Sequence, residues 1–129
     1  MAARVMDLKP LLESKDPAVV RGAVYVLGAL DTAPADLAEP LVGAGRVELD
    51  LIAAAVRASE ADRDMAEKQA IRFWGMWKVA VKNTGGGKYS ERFRPILQQI
   101  DAAARQSGLK DDVAIVARES KEALDSIGL

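Results

Sequence analysis

The stretch EADRDMAEKQAIRFWGMWKVAVKNTGGG, residues 60–87, decides the fold because it contains the longest helical segment of the chain. Acidic residues open this segment and basic residues close it, which complements the helix dipole, and the three glycines end it. Its apolar side chains recur with a helical period: Phe73, Trp74, Trp77, Ala80 and Val81. The pattern predicts a helix over 60–82, and its one broad apolar face is typical of a helix at the centre of a domain.

Helix signals continue on both sides of this central segment. Asp16 is a suitable N-cap and Pro17 suits a first helical position, while Ser107-Gly108 is typical of a helix end. The same reasoning predicts helices over 4–14, 17–30, 35–43, 47–58, 91–107 and 111–127. No segment alternates apolar and polar residues with the period of a strand.

The composition agrees with packed helices in one domain. Ala, Leu and Val dominate the apolar residues, and aromatic residues make up only 5% of the 129 positions. Alanine is the strongest helix former and lets helices approach closely. We therefore expect a single all-α domain over residues 1–129, built from stacked antiparallel helix pairs, with a compact helical bundle as the alternative.

The chain contains no Cys and no His. This excludes disulfides, thiolate or imidazole metal sites, Cys nucleophiles, Ser-His-Asp triads and His general bases. We therefore expect no enzymatic activity, no cofactor and no metal. Four acidic residues open the central helix, and the helix dipole explains them better than a cation site, since they lack the spacing of an EF-hand: Glu60, Asp62, Asp64 and Glu67.

The sequence shows no targeting or membrane signal. Asp7 and Lys9 interrupt the N-terminal apolar residues before they reach the length of a signal peptide. No window approaches the roughly 18 consecutive apolar residues of a membrane-spanning helix. We therefore predict a cytoplasmic protein that does not bind a membrane.

Three helical segments share a pattern when they are aligned without gaps. Residues 19–30 read VVRGAVYVLGAL, residues 66–77 read AEKQAIRFWGMW, and residues 116–127 read VARESKEALDSI. Each has a basic residue, then a small one, then two large ones. In register, the basic residues are Arg21, Lys68 and Arg118, and the small residues are Ala23, Ala70 and Ser120. The first large residues are Leu27, Trp74 and Leu124, and the second are Leu30, Trp77 and Ile127. Gly28 also matches Gly75.

This pattern resembles the second helix of HEAT repeats, which are two-helix units stacked into α-solenoids. Asp16, Asp62 and Asp112 would be the acidic residues near each turn, and segments 5–14, 47–58 and 91–106 would be the first helices. Segment 35–43 is then an extra helix or the first helix of the middle unit. The resemblance implies a HEAT-like α–α superhelix that serves as a scaffold or binding module.

Aromatic and basic residues concentrate in one part of the chain. Five of the six aromatic residues lie between positions 73 and 93, and five basic residues face a single acid, Glu91, within 78–94. Such a corner suits an acidic protein partner or nucleic-acid phosphates. The predicted partner-binding residues are Trp77, Lys78, Lys82, Lys88, Tyr89, Arg92 and Arg94. In the alternative interpretation, the Trp and Phe residues fill the core and the basic residues form a solvated face.

The leading hypothesis is a non-catalytic interaction or scaffold module that binds another protein through a helical-repeat surface. The alternative is a nucleic-acid-binding module that uses the corner 77–94, although a pI near 5.5 is unusual for that class. An enzyme would need a carboxyl group of raised pKa in a cleft.

The oligomeric state stays open. Ile71 and Val79 lie off the main apolar stripe of the central helix, so its second side is covered by the chain itself or by a partner copy.

Overall fold

The computed structural model describes residues 5–30 and 32–127, and within these residues it contains helices and no strand. This confirms the all-α prediction. The predicted helix start at position 4 lies outside the described residues. The α-helices are α1 (Leu8–Leu12), α2 (Pro17–Gly28), α3 (Ala38–Ala44), α4 (Arg46–Arg57), α5 (Glu60–Thr84), α6 (Arg94–Gln106) and α7 (Asp112–Ile127), with 3-10 turns at Ala35–Leu37 and Glu91–Phe93 before α3 and α6.

The helix ends follow the local signals of the sequence. The Asp16 carboxylate accepts a hydrogen bond from the Ala18 backbone N–H at 3.0 Å and so caps α2 as predicted. The helical segment predicted over 4–14 is interrupted by a turn at Asp7, which separates the helical residues 5 and 6 from α1. Pro10 then lies in the first turn, where the missing backbone N–H costs no intrahelical hydrogen bond.

The helices form three pairs around α5. Short connections join α1 to α2, α4 to α5 and α6 to α7, and each pair packs together in an antiparallel arrangement. In one layer α5 lies between α2 and α7, and on the other side α4 packs against α6. Because α4 is the partner of α5, the segment over 35–43 is an extra helix. It forms α3, which contacts both α1 and α5.

The core is built on the aromatic face of α5. Phe73, Trp74 and Trp77 are fully buried there, and Phe93 meets Trp77 edge-on with the ring centroids 6.0 Å apart. The Trp77 indole N–H donates a hydrogen bond to the Leu41 carbonyl oxygen at 2.8 Å. This bond fastens α3 to the centre of the core without leaving a buried donor unpaired.

Asn83 holds the ends of α2 and α5 together. Its side-chain amide donates hydrogen bonds to the carbonyl oxygens of Leu27, at 3.1 Å, and Leu30, at 2.6 Å. The Asn83 backbone carbonyl accepts a third bond from the Ala33 N–H at 3.2 Å. Carbonyl groups at the end of a helix lack a donor from the next turn, and the Asn83 amide supplies donors to two carbonyls at the end of α2 and just beyond it.

The small residues aligned in the sequence are buried at the helix contacts. Ala23, Ala70 and Ser120 are each at most 3% exposed. The two aligned glycines differ. A Cβ atom on Gly28 would lie 3.1 Å from the Met76 carbonyl oxygen, whereas a Cβ atom on Gly75 would meet nothing within 4 Å. Gly28 therefore permits the close crossing of α2 and α5, and the space beside Gly75 is open.

We expect Gly45→Ala to destabilise the fold. Gly45 lies between α3 and α4, and an added Cβ atom would be 2.5 Å from Ile96 Cγ1 and 3.1 Å from Trp77 Cζ2. Overpacking of this kind costs about 1–3 kcal/mol. Urea unfolding followed by circular dichroism measures the change.

Gly43→Ala is the matched control because its Cβ atom would meet nothing within 4 Å and the residue is helical and exposed. It should leave the free energy of unfolding unchanged or raise it by about 0.5–1 kcal/mol. Equal stability of the two variants would contradict the close packing of Gly45.

Candidate functional site

Trp77, one of the predicted partner-binding residues, is buried and does not lie on the surface. Its side chain is 0% exposed, and its indole N–H is bonded within the core. Phe73 and Trp74 are buried beside it. These rings form the core, as the alternative interpretation of the aromatic cluster held. The sequence showed their common helical face but not that other helices cover that face completely.

Three of the predicted basic residues form ion pairs within the chain. Lys78 Nζ lies 2.6 Å from Glu119 Oε1, and Arg92 Nη1 lies 3.7 Å from Glu39 Oε1. Arg94 makes a two-point contact with Glu91, with its Nε 2.6 Å from Oε1 and its Nη2 2.9 Å from Oε2. The positive charge of the corner is therefore partly neutralised within the chain, which weakens its attraction for phosphates.

Glu119 is the acceptor that ties α5 to α7. Its Oε1 atom accepts hydrogen bonds from the Trp74 indole at 2.7 Å and from Lys78 Nζ at 2.6 Å. Burial alone would raise the pKa of Glu119, but the bonds from Lys78 and Trp74 outweigh burial and the pKa is lowered. Lys78 thus has a structural role that its place in the sequence did not reveal.

Lys82, Lys88 and Tyr89 are the remaining members of the corner. Lys82 Nζ lies 5.6 Å from the centroid of the Tyr89 ring, within the range of a cation–π contact. Tyr89 is half-buried, and burial together with Glu119 and Glu122 on α7 raises the pKa of its hydroxyl to about 12. Lys88 is exposed on the glycine-rich loop. Partner binding by these three residues stays a prediction.

Two of the acidic residues at the start of α5 make contacts with neighbouring side chains. Asp62 accepts a hydrogen bond from the Ser59 hydroxyl at 3.1 Å, and Asp64 pairs with Lys68 at 2.9 Å. Burial raises the pKa of Glu67, and the nearby Asp111 and Asp112 raise it further. Among residues 5–30 and 32–127, no group of three acidic residues has the arrangement of a metal site.

Glu48 is the buried carboxyl group that stands out chemically. It is 0% exposed on the inner face of α4, and neither carboxylate oxygen has a hydrogen-bond partner among the described residues. Burial raises its pKa well above the ordinary value. An acid catalyst needs such a pKa and also access to a cleft. Glu48 has the raised pKa but lines neither of the two clefts described next.

The larger cleft lies among α1, α3, α4 and α6 and has a volume of about 1100 Å³. Apolar residues such as Leu12, Val47 and Ile96 line part of it. Seven charged residues of both signs share the lining: Lys9, Glu13, Lys15, Asp36, Glu39, Arg46 and Asp50. Mixed charges of this kind do not attract one class of charged ligand.

A second depression, the α2–α5 groove, has a volume of about 420 Å³. It lies on the side of α5 opposite the aromatic core. Tyr25 and Gly28 of α2 and the following Ala29 line one side. The lining from α5 is Ile71, Arg72, Gly75, Met76 and Val79. Arg72 is the charged residue of this lining, and within the described residues it has no carboxylate partner.

The α2–α5 groove leaves large apolar side chains in contact with solvent. Tyr25 is 63% exposed and Val79 is 40% exposed, while Ile71 is half-buried against the core. In the sequence, Ile71 and Val79 indicated this surface because they lie off the main apolar stripe of the central helix. The structure shows that α2 covers only part of it. Tyr25, the aromatic residue outside the 73–93 cluster, gave no sequence signal of its own.

No model of a known protein family matches the sequence, and neither a curated protein nor a solved structure matches the chain. Among the described helices, none combines the length and the apolar character needed to cross a lipid bilayer.

We expect replacement of Glu48 by Met to stabilise the protein. The apolar side chain removes a buried carboxyl group that has no hydrogen-bond partner, for a gain of about 1–3 kcal/mol at neutral pH. Because the pKa of Glu48 is raised in the folded state, the wild-type chain binds this proton more tightly when folded. Its stability therefore falls as the pH rises above the ordinary carboxyl value of 4.5 and levels off above the folded-state pKa.

Urea titrations of both proteins from pH 4 to pH 9 test this expectation. The advantage of Glu48→Met over the wild type should grow with pH across that window, and the stability of Glu48→Gln relative to the wild type should rise in the same way. A Glu48→Met variant less stable than the wild type at pH 8, or a difference from the wild type that does not change with pH in either variant, would contradict the assignment.

Proposed function

We propose that this chain is a non-catalytic interaction module that binds a segment of another protein in the α2–α5 groove. The observation that carries the proposal is the exposure of Tyr25 and Val79 around a groove whose lining is otherwise almost wholly apolar. Exposed apolar surface beside a preformed depression is typical of a binding site. Both helices belong to the layer of α2, α5 and α7, which supports the proposal of a helical-repeat surface.

The residue types at the groove support a role in protein binding. Tyr and Arg are the side chains that, with Trp, most often dominate the binding energy of protein interfaces. Tyr25 and Arg72 supply both types from the two helices of the groove, and the space beside Gly75 is open. A side chain of the partner can enter this open space and pack against the exposed Tyr25 ring.

The HEAT-like organisation is part of this proposal. Three helix pairs stacked through α2, α5 and α7, with Ala23, Ala70 and Ser120 buried at matching positions, support it. In such a stack the second helices form a continuous surface for partners. The extra helix α3 is the departure from a regular repeat.

A peptide selection tests the proposed function. A phage-displayed library of random 16-residue peptides is selected on the full chain, and enriched peptides are measured for binding to two variants. Gly75→Leu places a side chain in the open space of the groove. Gly43→Leu adds the same side chain to α3, where a Cβ atom also meets nothing within 4 Å.

Enriched peptides should bind the wild type and Gly43→Leu alike and should bind Gly75→Leu at least about tenfold more weakly, a loss of about 1.4 kcal/mol. Circular dichroism and unfolding curves confirm that both variants fold. A selection that enriches no peptide, or peptides that bind all three proteins equally, would overturn the proposal.

A further inference from the structure

We infer that the partner segment is an acidic amphipathic helix, which places its apolar side chains in the α2–α5 groove and its carboxylates against Arg72, Lys68 and Lys82. This inference rests on the proposed function, since it specifies the partner of the same site. Charge, length and symmetry each support it.

The segments of α2 and α5 that border the groove contain basic residues and no acidic one. Residues 17–30 and 68–84 contain five basic residues and no acidic one, although the whole chain has a net charge of −1. Lys78 is already paired with Glu119 of α7. Lys68, Arg72 and Lys82 lie on the outer face of α5 together with Gly75 and Val79, since these positions recur every three or four residues. An apolar groove is therefore flanked by cations.

Arg72 is the residue that links charge to the groove. It lines the groove directly, whereas Lys68 already contacts Asp64 and Lys82 lies over the Tyr89 ring. A guanidinium group forms two-point hydrogen bonds with a carboxylate. Arg72 has no such carboxylate within the described residues, so a carboxylate of the partner is the group that it fits.

The length of the groove fits two turns of a helix. Ile71 and Val79 mark its two ends on α5, and eight residues of α-helix rise about 12 Å. A partner helix with apolar side chains at positions i, i+3 or i+4, and i+7 presents a stripe of about 10.5 Å. Such a stripe fills the groove, and acidic residues beside it reach the cations on the outer face of α5.

Other occupants fit these features less well. A second copy of the chain docked through the same groove across a two-fold axis would place the basic outer face of one α5 against the same basic face of the other, and like charges repel. Nucleic acid takes its affinity from phosphate contacts and leaves an apolar groove unfilled. An acidic amphipathic helix satisfies both the apolar lining and the positive flanks.

Three synthetic 14-residue peptides test the inference against the full chain. The acidic peptide carries Leu at i, i+3 and i+7 with Glu at the flanking positions. The basic peptide replaces each Glu by Lys, and the polar peptide keeps Glu but replaces each Leu by Ser. Fluorescence anisotropy measures each Kd at 50 and 300 mM NaCl for the wild type, Arg72→Glu, Gly75→Leu and the control Arg57→Glu. Arg57 is an exposed arginine in the last turn of α4, outside the lining of the groove.

The acidic peptide should bind the wild type at least about tenfold more tightly than the basic or the polar peptide, and salt should reduce this preference. Arg72→Glu should reverse the preference between acidic and basic peptides, and Arg57→Glu should leave it unchanged. Gly75→Leu should weaken binding of the acidic peptide at least about tenfold.

Three results would overturn the inference. The first is equal affinity for the acidic and basic peptides, and the second is tighter binding of a 14-nucleotide single-stranded DNA than of the acidic peptide. The third is a wild-type dimer in sedimentation equilibrium that Gly75→Leu converts to a monomer.

If selected peptides require an open groove but show no acidic bias, the partner class is wrong while the proposed function stands. If Gly75→Leu weakens no peptide, the proposed function itself fails.

Discussion

The two indole N–H groups of α5 need buried acceptors, and the way they are satisfied determines how the other helices are placed. Trp77 bonds to the Leu41 carbonyl of α3, and Trp74 bonds to Glu119 of α7. A buried donor without an acceptor costs about 1–3 kcal/mol, so helices on both sides must bring an acceptor to a fixed position. Large rings alone would tolerate several packings, whereas these two bonds select one. Lys78 completes the contact by neutralising the carboxylate that accepts from Trp74.

The difference between the two faces of α5 produces the candidate site. Its inner face carries Phe73, Trp74 and Trp77, while its outer face carries Gly75, Val79 and Arg72. Large side chains inside hold α5 at the centre, and outside the missing side chain of Gly75 leaves space in a groove that α2 only partly covers. Gly28 lets α2 cross closely at Met76. One helix thus organises the core and presents the surface that we propose for binding.

Much of the fold was readable from the sequence because helix signals are local. The cap at Asp16, the glycines after Thr84 and the periodic apolar residues set the helix ends to within a few residues in most cases. The site was less readable because it depends on contacts between distant segments. Lys78 looked available for a partner until Glu119, 41 positions away, proved to hold it. In the same way, Trp77 looked like a possible anchor until α3 was seen to cover it.

The burial of both tryptophans is the most direct test of this account, since the chain has only these two. Iodide is a charged quencher that does not enter a packed core. We expect iodide to leave the native fluorescence almost unchanged, to quench the urea-unfolded chain, and to quench the added emission of a Tyr25→Trp variant. Native wild-type fluorescence quenched as strongly as that of the unfolded chain would show that the indoles are on the surface. That result would contradict both the core and the assignment of binding to the opposite face of α5.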